Sequence, residues 1–310
     1  MQNSVVIFNK KTSPSARYDE EGDWPWRTVE EQHVVFRLLK PHWHKTLSLN
    51  HAARLILMPA IIKPIAGFRP SDVNKFTMDA YENFHWEDLY IPNDLKLRGF
   101  PNTEKGLNGD KFRNCSYARN MVVMWEIVHT FVDKVLRDHY KNDNAVKQDT
   151  QIQDWVKEMQ SDHGAQQKHF PNVQSIKSLV DVVTMCIHIA SPQHTAVNYM
   201  QEYYQTFVPN KPPSFFKPLP KTLGELGKVD EKFVLHFHLL RRMLTFEEVH
   251  QPLDMSSYSD QAVEVEKMAG SKASIAAAED FRKKIKGLTN VFDAHSGKMT
   301  VKVTPKCCEP

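Results

Sequence analysis

The sequence predicts a mainly α-helical protein with no substantial sheet, and three observations support this. Apolar residues recur every three or four positions over long stretches, a spacing that places them on one face of a helix. One run, residues 179–190, is apolar on nearly all sides, as expected of a helix buried at the centre of a domain. Strand-like alternation is confined to a short run, residues 299–304, near the end of the chain.

The first third of the chain is predicted to hold three helices. Residues 1–32 are polar and irregular, typical of a loose N-terminal arm. Two short helices, 33–40 and 46–58, are predicted on either side of Pro41, because proline disfavours the interior of a helix. A third helix is predicted over 71–89. We expect Ser71 to be its N-cap, with apolar residues at helical spacing: Val73, Phe76, Ala80 and Phe84.

The middle of the chain has the clearest helical patterns. Residues 118–140 carry one long apolar stripe, formed by Met121, Met124, Trp125, Val128, Phe131, Val132, Val135 and Leu136. A shorter helix is predicted over 149–160, through Ile152, Trp155, Val156 and Met159. After a loop at 161–169, a helix is predicted from Ser175 to about Tyr204, and the proline-rich stretch 209–220 ends it.

The last third is predicted to be helical with an irregular tail. One or two helices are expected within 222–246, and one amphipathic helix over 262–286. The final 24 residues, 287–310, are predicted to be irregular, with a short strand-like run.

The bulk composition excludes several classes of protein. Of the 310 residues, 41% are hydrophobic and 25% charged, and the mean hydropathy is −0.50. The net charge of +3 is too small to indicate a nucleic-acid binder. No stretch reaches the roughly 20 apolar residues that span a bilayer, and residues 1–8 lack the pattern of a secretory leader, so we expect a cytoplasmic location. The four cysteines fit neither a spaced zinc site nor a disulfide framework, and are expected to be reduced.

The candidate chemistry lies in the segment around His194. His194 and Asn198 are four residues apart, so on a helix their Cβ atoms lie roughly 5–6 Å apart on one face, close enough to bind one metal ion. Pro192 would loosen the helix just before them, and Gln201 lies on the same side and could hydrogen-bond Asn198. From spacing alone, a plain hydrogen bond between His194 and Asn198 in a polar core niche is the more frequent arrangement.

The residue pattern of this segment resembles that of the lipoxygenase family. The metal-binding helix of the family carries the pattern Ser-x-x-His-x-Ala-Val-Asn-x-x-Gln. This sequence matches it at Ser191, His194, Ala196, Val197, Asn198 and Gln201. The family's proline-rich exit resembles residues 208–213. Further blocks follow in the family's order at 37–54, 91–99, 124–132, 153–155 and 170–171. The resemblance covers roughly residues 33–220 and is stronger to fungal and bacterial members.

The resemblance implies a partial lipoxygenase-like helical catalytic domain over 33–220, followed by a divergent helical part at 221–310. It implies one non-haem iron or manganese ion, and a reaction of a polyunsaturated fatty acid with O2. Carried over by position, His194 is a histidine ligand, Asn198 is the amide ligand, and Gln201 hydrogen-bonds behind them.

The resemblance is incomplete at both ends. The family has two further histidines about five residues apart on a helix before the His33 block, and a C-terminal isoleucine or valine whose carboxylate is a ligand. Neither feature is in this sequence, so we expect a truncated or degenerate member. His33, His42, His44, His188, His236 and His238 are predicted not to be ligands. The alternative function is a catalytically inactive fatty-acid-binding protein of the same fold, or a fragment that arises from an incorrect gene model.

Overall fold

The fold is entirely helical within the part of the chain that the structure, a computed structural model, describes. This part comprises residues 32–52, 70–109, 111–193, 221–228 and 255–299, and it contains no strand. The predicted fold class is therefore confirmed. The helices in chain order are α1 (Val34–Ala52), α2 (Pro70–Glu82), α3 (Ile91–Leu97), α4 (Glu104–Leu107), α5 (Ser116–His139), α6 (Asp143–Gln148), α7 (Thr150–Gln160), α8 (Ile176–His188), α9 (Leu223–Leu226), α10 (Met255–Ala269), α11 (Lys272–Lys286) and α12 (Leu288–Gly297). A 3₁₀ turn spans Glu87–Leu89, and a π-helical turn, Ile189–Gln193, continues α8.

Helices α5 and α8 pack against each other at the centre of the fold. Helix α1 lies against both of them and against α10, while α11 packs on α10 and α5. Helix α12 closes against the same α5. Because α8 is covered by α1 and α5, its side chains from Leu179 to His188 are buried except for half-buried Asp181. The all-round apolar pattern of 179–190 has its explanation in this central position.

The two clearest amphipathic patterns were predicted correctly. Every residue of the predicted stripe on α5 is buried, and the helix extends only two residues beyond the predicted start. The four apolar residues of α7 are also buried, and Asp149 caps its first turn by accepting from the Ile152 N–H at 3.2 Å. A periodic stripe over many turns leaves only one way to bury the apolar surface.

Pro41 does not split the first helix, contrary to prediction. Helix α1 runs through it without a break. A proline in a helix interior costs about 3 kcal/mol, but residues on both sides of it, among them Leu38 and Trp43, are buried in the core. Burial of one such side chain stabilises by about 1.5–3 kcal/mol, so the packing of two flanking turns outweighs the cost of the proline.

The prediction for the third helix was partly wrong. Helix α2 begins at Pro70, so Ser71 lies within it rather than at its N-cap; proline suits the first helical position because its missing N–H has no partner there in any case. The helix ends at Glu82, short of the predicted residue 89. Phe76, predicted to belong to the buried stripe, is 63% exposed.

The C-terminal prediction is corrected at two places. The single helix expected over 262–286 is two helices, because α10 ends before Gly270 and Ser271 caps α11 by accepting from Ala273 and Ser274 N–H groups at 3.0 and 3.1 Å. The tail predicted to be irregular from residue 287 begins with helix α12, whose Leu288 is buried. A short helix whose stability depends on packing carries little periodic signal.

The segment 91–99, one of the blocks that follow the family's order, contains a helix, α3. The predicted helical continuation beyond Gln193, the proline-rich exit and most of 222–246 lie outside the described residues. Among the helices that are described, none is long and apolar enough to cross a membrane.

Candidate functional site

Helix α8 leads the chain toward the candidate ligands through the core. Ser175 caps its start by accepting from the Ser178 N–H at 3.1 Å, and the Ser178 hydroxyl accepts from the Ser175 N–H at 3.0 Å. This reciprocal pair satisfies two backbone donors that a helix start otherwise leaves free. The regular helix ends at His188, and the wider π-helical turn follows.

The π-helical turn contains Pro192, the residue that the sequence predicted would loosen the helix. Proline has no N–H to donate, and its ring clashes with the carbonyl four residues earlier in a regular α-helix. The wider turn relieves this conflict, since π turns accommodate an extra residue inside an α-helix. Four of its five residues, from Ile189 to Pro192, are buried.

Two adjacent residues of α1, His42 and Trp43, contact this turn and the last turn of α8. His42 Nδ1 and Ser191 Oγ share a hydrogen bond of 2.9 Å, and both side chains are fully buried. The Trp43 indole N–H donates to the Cys186 carbonyl at 3.2 Å. Burial lowers the pKa of His42 to about 3, so its imidazole is neutral at physiological pH. We call His42 and Trp43 the α1 pair.

Sequence reasoning missed the α1 pair. His42 and Ser191 are 149 positions apart, and Trp43 and Cys186 are 143 apart. No local pattern links residues so distant in sequence. Ser191 was identified from the sequence only as a position that matches the family pattern, and that pattern predicts no hydrogen-bond partner for it.

His194, Asn198 and Gln201 all lie outside the described residues, directly after the π-helical turn. Their assignment as ligands and supporting residue stays a prediction. Within the described ranges, no group of three or more histidine, cysteine, aspartate or glutamate side chains is placed to hold a metal ion.

His188 is a buried histidine with an unusual environment. It is 0% exposed, and neither ring nitrogen has a hydrogen-bond partner in the part of the chain that is described. Its ring lies edge-on to Trp125 of α5, with centroids 5.7 Å apart. Burial lowers its pKa to about 3. The imidazole is therefore neutral and packs as an aromatic ring.

His33 has a structural role. Its Nδ1 accepts from the Val35 N–H at 3.1 Å at the start of α1, and its Nε2 lies 3.0 Å from an Asp149 carboxylate oxygen. The Tyr140 hydroxyl donates to the same carboxylate at 2.6 Å. Burial opposes the charge on Asp149, but the hydrogen bonds from Tyr140, His33 and the Ile152 N–H outweigh it and lower the pKa of that carboxyl. The network ties α1, α5 and α7 together and offers no open position for a metal.

The part of the chain that the structure describes is all helical. The candidate metal ligands follow the end of its central buried helix in the sequence. The family model described as Lipoxygenase matches residues 26–299, most of the chain. The chain belongs to the lipoxygenase family.

Individual relatives agree with this assignment. The chain is 42% identical over 306 residues to the manganese lipoxygenase of Pleurotus sapidus, and the alignment covers 85% of this chain and 47% of that protein. It is 31% identical over 208 residues to the allene oxide synthase-lipoxygenase protein of Plexaura homomalla, which covers 64% of this chain and 19% of that protein. The crystal structure of a fungal lipoxygenase from Fusarium graminearum superposes with a TM-score of 0.79 at 34% identity, over 98% of this chain and 54% of the other. The chain thus spans about half the length of its fungal relatives.

Proposed function

We propose that this chain carries part of the metal centre of a fatty-acid dioxygenase, with His194 and Asn198 as ligands of an iron or manganese ion and Gln201 as the hydrogen-bonding support of Asn198. The observation that carries the proposal is the 42% identity to a protein named manganese lipoxygenase, over 85% of this chain. The proposed substrates are a polyunsaturated fatty acid and O2. The cytoplasmic location and the division at residue 220 stay predictions.

The donor atoms suit such an ion in kind. Imidazole nitrogen and amide oxygen are both accepted by divalent iron and manganese. Four of the five residues in the turn that precedes the candidate segment are buried, and an unpaired imidazole or amide costs about 1–3 kcal/mol wherever it is buried. A metal ion satisfies both groups at once. Two protein ligands are fewer than the three or more that such sites use, so other ligands must complete the centre.

In the proposed reaction, O2 is inserted into a carbon–hydrogen bond between two double bonds of the substrate. One C–H bond breaks, one C–O and one O–H bond form, and the product is a hydroperoxide, so no external reductant is needed. The bound ion supplies the one-electron redox couple that lets the hydrogen leave as a proton and an electron. The chain's own part is to hold the ligands in a water-poor interior, to which the buried faces of α1, α5 and α8 contribute.

The test compares the wild-type chain with His194→Ala after reconstitution with Mn²⁺ or Fe²⁺ and removal of free metal. We expect the wild type to bind the ion more tightly than the variant, by about 10-fold or more, since loss of a ligand should cost at least as much as loss of a group that supports one. His188→Phe is the matched control, because it removes a buried imidazole six residues before His194 and should leave the retained metal unchanged. Equal metal in wild type and His194→Ala would refute the assignment.

Activity is measured separately, as O2 uptake and hydroperoxide formation with linoleate. Retained metal together with hydroperoxide that depends on His194 would support the proposed function. Linoleate that binds without any O2 uptake would instead favour the inactive lipid-binding alternative.

A further inference from the structure

The π-helical turn before His194 contains a residue that cannot donate a backbone hydrogen bond. Pro192 supplies no N–H, so the turn has one possible backbone hydrogen bond fewer than a turn without proline. Turns of the π type are rare and occur mainly as single interruptions of α-helices. A segment with fewer internal bonds needs outside contacts to keep one conformation.

The α1 pair supplies two such contacts, one at each end of the region. Trp43 donates to the carbonyl of Cys186 in the last turn of α8, and His42 bonds Ser191 within the π-helical turn. The His42 ring also lies 4.8 Å from the ring of Tyr258 on α10, so a third helix braces the pair. Loss of one such hydrogen bond costs about 0.5–1.5 kcal/mol, and the Cys186 carbonyl would keep the Ile189 N–H as its other donor.

His194 is the next residue after the π-helical turn and the third after Ser191. We propose that His42 and Trp43 are positioning residues for the metal centre: by holding the π-helical turn against α1, they set the direction in which the chain enters the ligand segment. This inference rests on the proposed role of His194. A neutral imidazole suits the task, because it adds no positive charge near the place where a cation would bind.

The test uses Ser191→Ala, which removes one hydrogen bond with little change of shape, and Trp43→Phe, which removes the other together with part of the buried ring, so that its control must lose the same ring volume. Ser274→Ala and Trp155→Phe are the matched controls, since both residues are buried and lie in other helices, α11 and α7. The Ser274 hydroxyl donates to the Ser271 carbonyl, which is not part of the π-helical turn. Each protein is loaded with Mn²⁺ alone, and its affinity is measured by competition with a chelator. Hydrogen exchange of the amides at 189–191 and 193 is followed on the metal-free chain.

We expect both test variants to bind Mn²⁺ about 10–100-fold more weakly, the range typical of groups that support metal ligands. Their amides in the π-helical turn should exchange faster even without metal, and the electron paramagnetic resonance spectrum of bound Mn²⁺ should change. The controls should bind Mn²⁺ as the wild type does. His42→Asn, which keeps a hydrogen-bonding atom near the Nδ1 position, should retain more affinity than His42→Leu.

Three results would overturn the inference. Unchanged exchange in both test variants would show that the α1 pair does not hold the turn. Faster exchange with wild-type Mn²⁺ affinity would show that the pair is structural only. A wild-type chain that takes up no more Mn²⁺ than His194→Ala would overturn the proposed function and with it the role in metal binding. If the amides of the π-helical turn still exchange faster in the test variants, the failure lies in the metal site and not in the contacts that hold the turn. Should Ser191→Ala not fold, Trp43→Phe and the His42 variants decide.

Discussion

His188 and His42 should make the folded protein sensitive to acid, because both imidazoles are fully buried and both have a pKa lowered to about 3. In the unfolded chain each has a pKa of about 6.5. As the pH falls below about 6.5, the unfolded state therefore takes up a proton at each residue while the folded state does not. Stability is lost over this interval, down to the folded pKa. The loss amounts to about 1.4 kcal/mol per pH unit for each histidine.

His188→Phe isolates one of these two contributions. Between pH 6.5 and pH 5 a single such histidine accounts for about 1.5 × 1.4, or about 2 kcal/mol. Phenylalanine keeps an aromatic ring beside Trp125 and removes two ring nitrogens that have no partner among the described residues. At pH 7 the gain from removing them, about 1–3 kcal/mol, is offset by the larger ring, which costs about 1–3 kcal/mol in a packed core.

The measurement is urea unfolding at pH 7 and pH 5, followed by far-ultraviolet circular dichroism. We expect the variant to lose about 2 kcal/mol less than the wild type between the two pH values. Met268→Ala, at an exposed position with no titratable group, is the control and should lose as much stability as the wild type. If His188→Phe and the wild type lose equal stability, His188 is not a buried neutral imidazole in solution and the reasoning fails.

Three further changes test the packing of the fold. Gly270→Ala should destabilise by about 1–3 kcal/mol, since a Cβ there would lie 2.7 Å from the backbone carbonyl oxygen of Glu266, whereas Gly297→Ala, with nothing within 4 Å, should change the midpoint of urea unfolding little. Asp149→Asn should cost about 1–2 kcal/mol at pH 7; because the pKa of this carboxyl is lowered, the cost should shrink as the pH falls below about 4, and an unchanged cost at pH 3 would contradict the network. Arg119→Met should cost about 3 kcal/mol, since the buried guanidinium donates to two backbone carbonyls at 2.7 and 3.0 Å, one of them in the last turn of α12; an unchanged thermal midpoint would contradict this.

The sequence predictions were most accurate where a periodic apolar pattern runs without interruption. Helices α5 and α7 were predicted almost to the residue, because their apolar stripes are uninterrupted and only a helix can bury them on one face. The predictions failed where a local signal and the longer apolar pattern disagreed. Pro41 lies inside α1, while the break at Gly270 and Ser271 divides a pattern that reads as one amphipathic helix.

The candidate site divides in the same way. His194, Asn198 and Gln201 were predicted from the spacing of their residue types and a resemblance to one family, both of which are local properties of the sequence. The hydrogen bond between Ser191 and His42 could not be predicted, because the two residues are 149 positions apart and neither residue spacing nor the family pattern relates them.

The sequence by itself therefore determined the helical class and the central buried helix, since both follow from periodicity, and it predicted the candidate ligands through a resemblance to one family. Only the tertiary structure decided that α1 continues through its proline and that His42 and Trp43 meet the turn before His194. Both outcomes depend on burial energies summed over helices that are far apart in sequence.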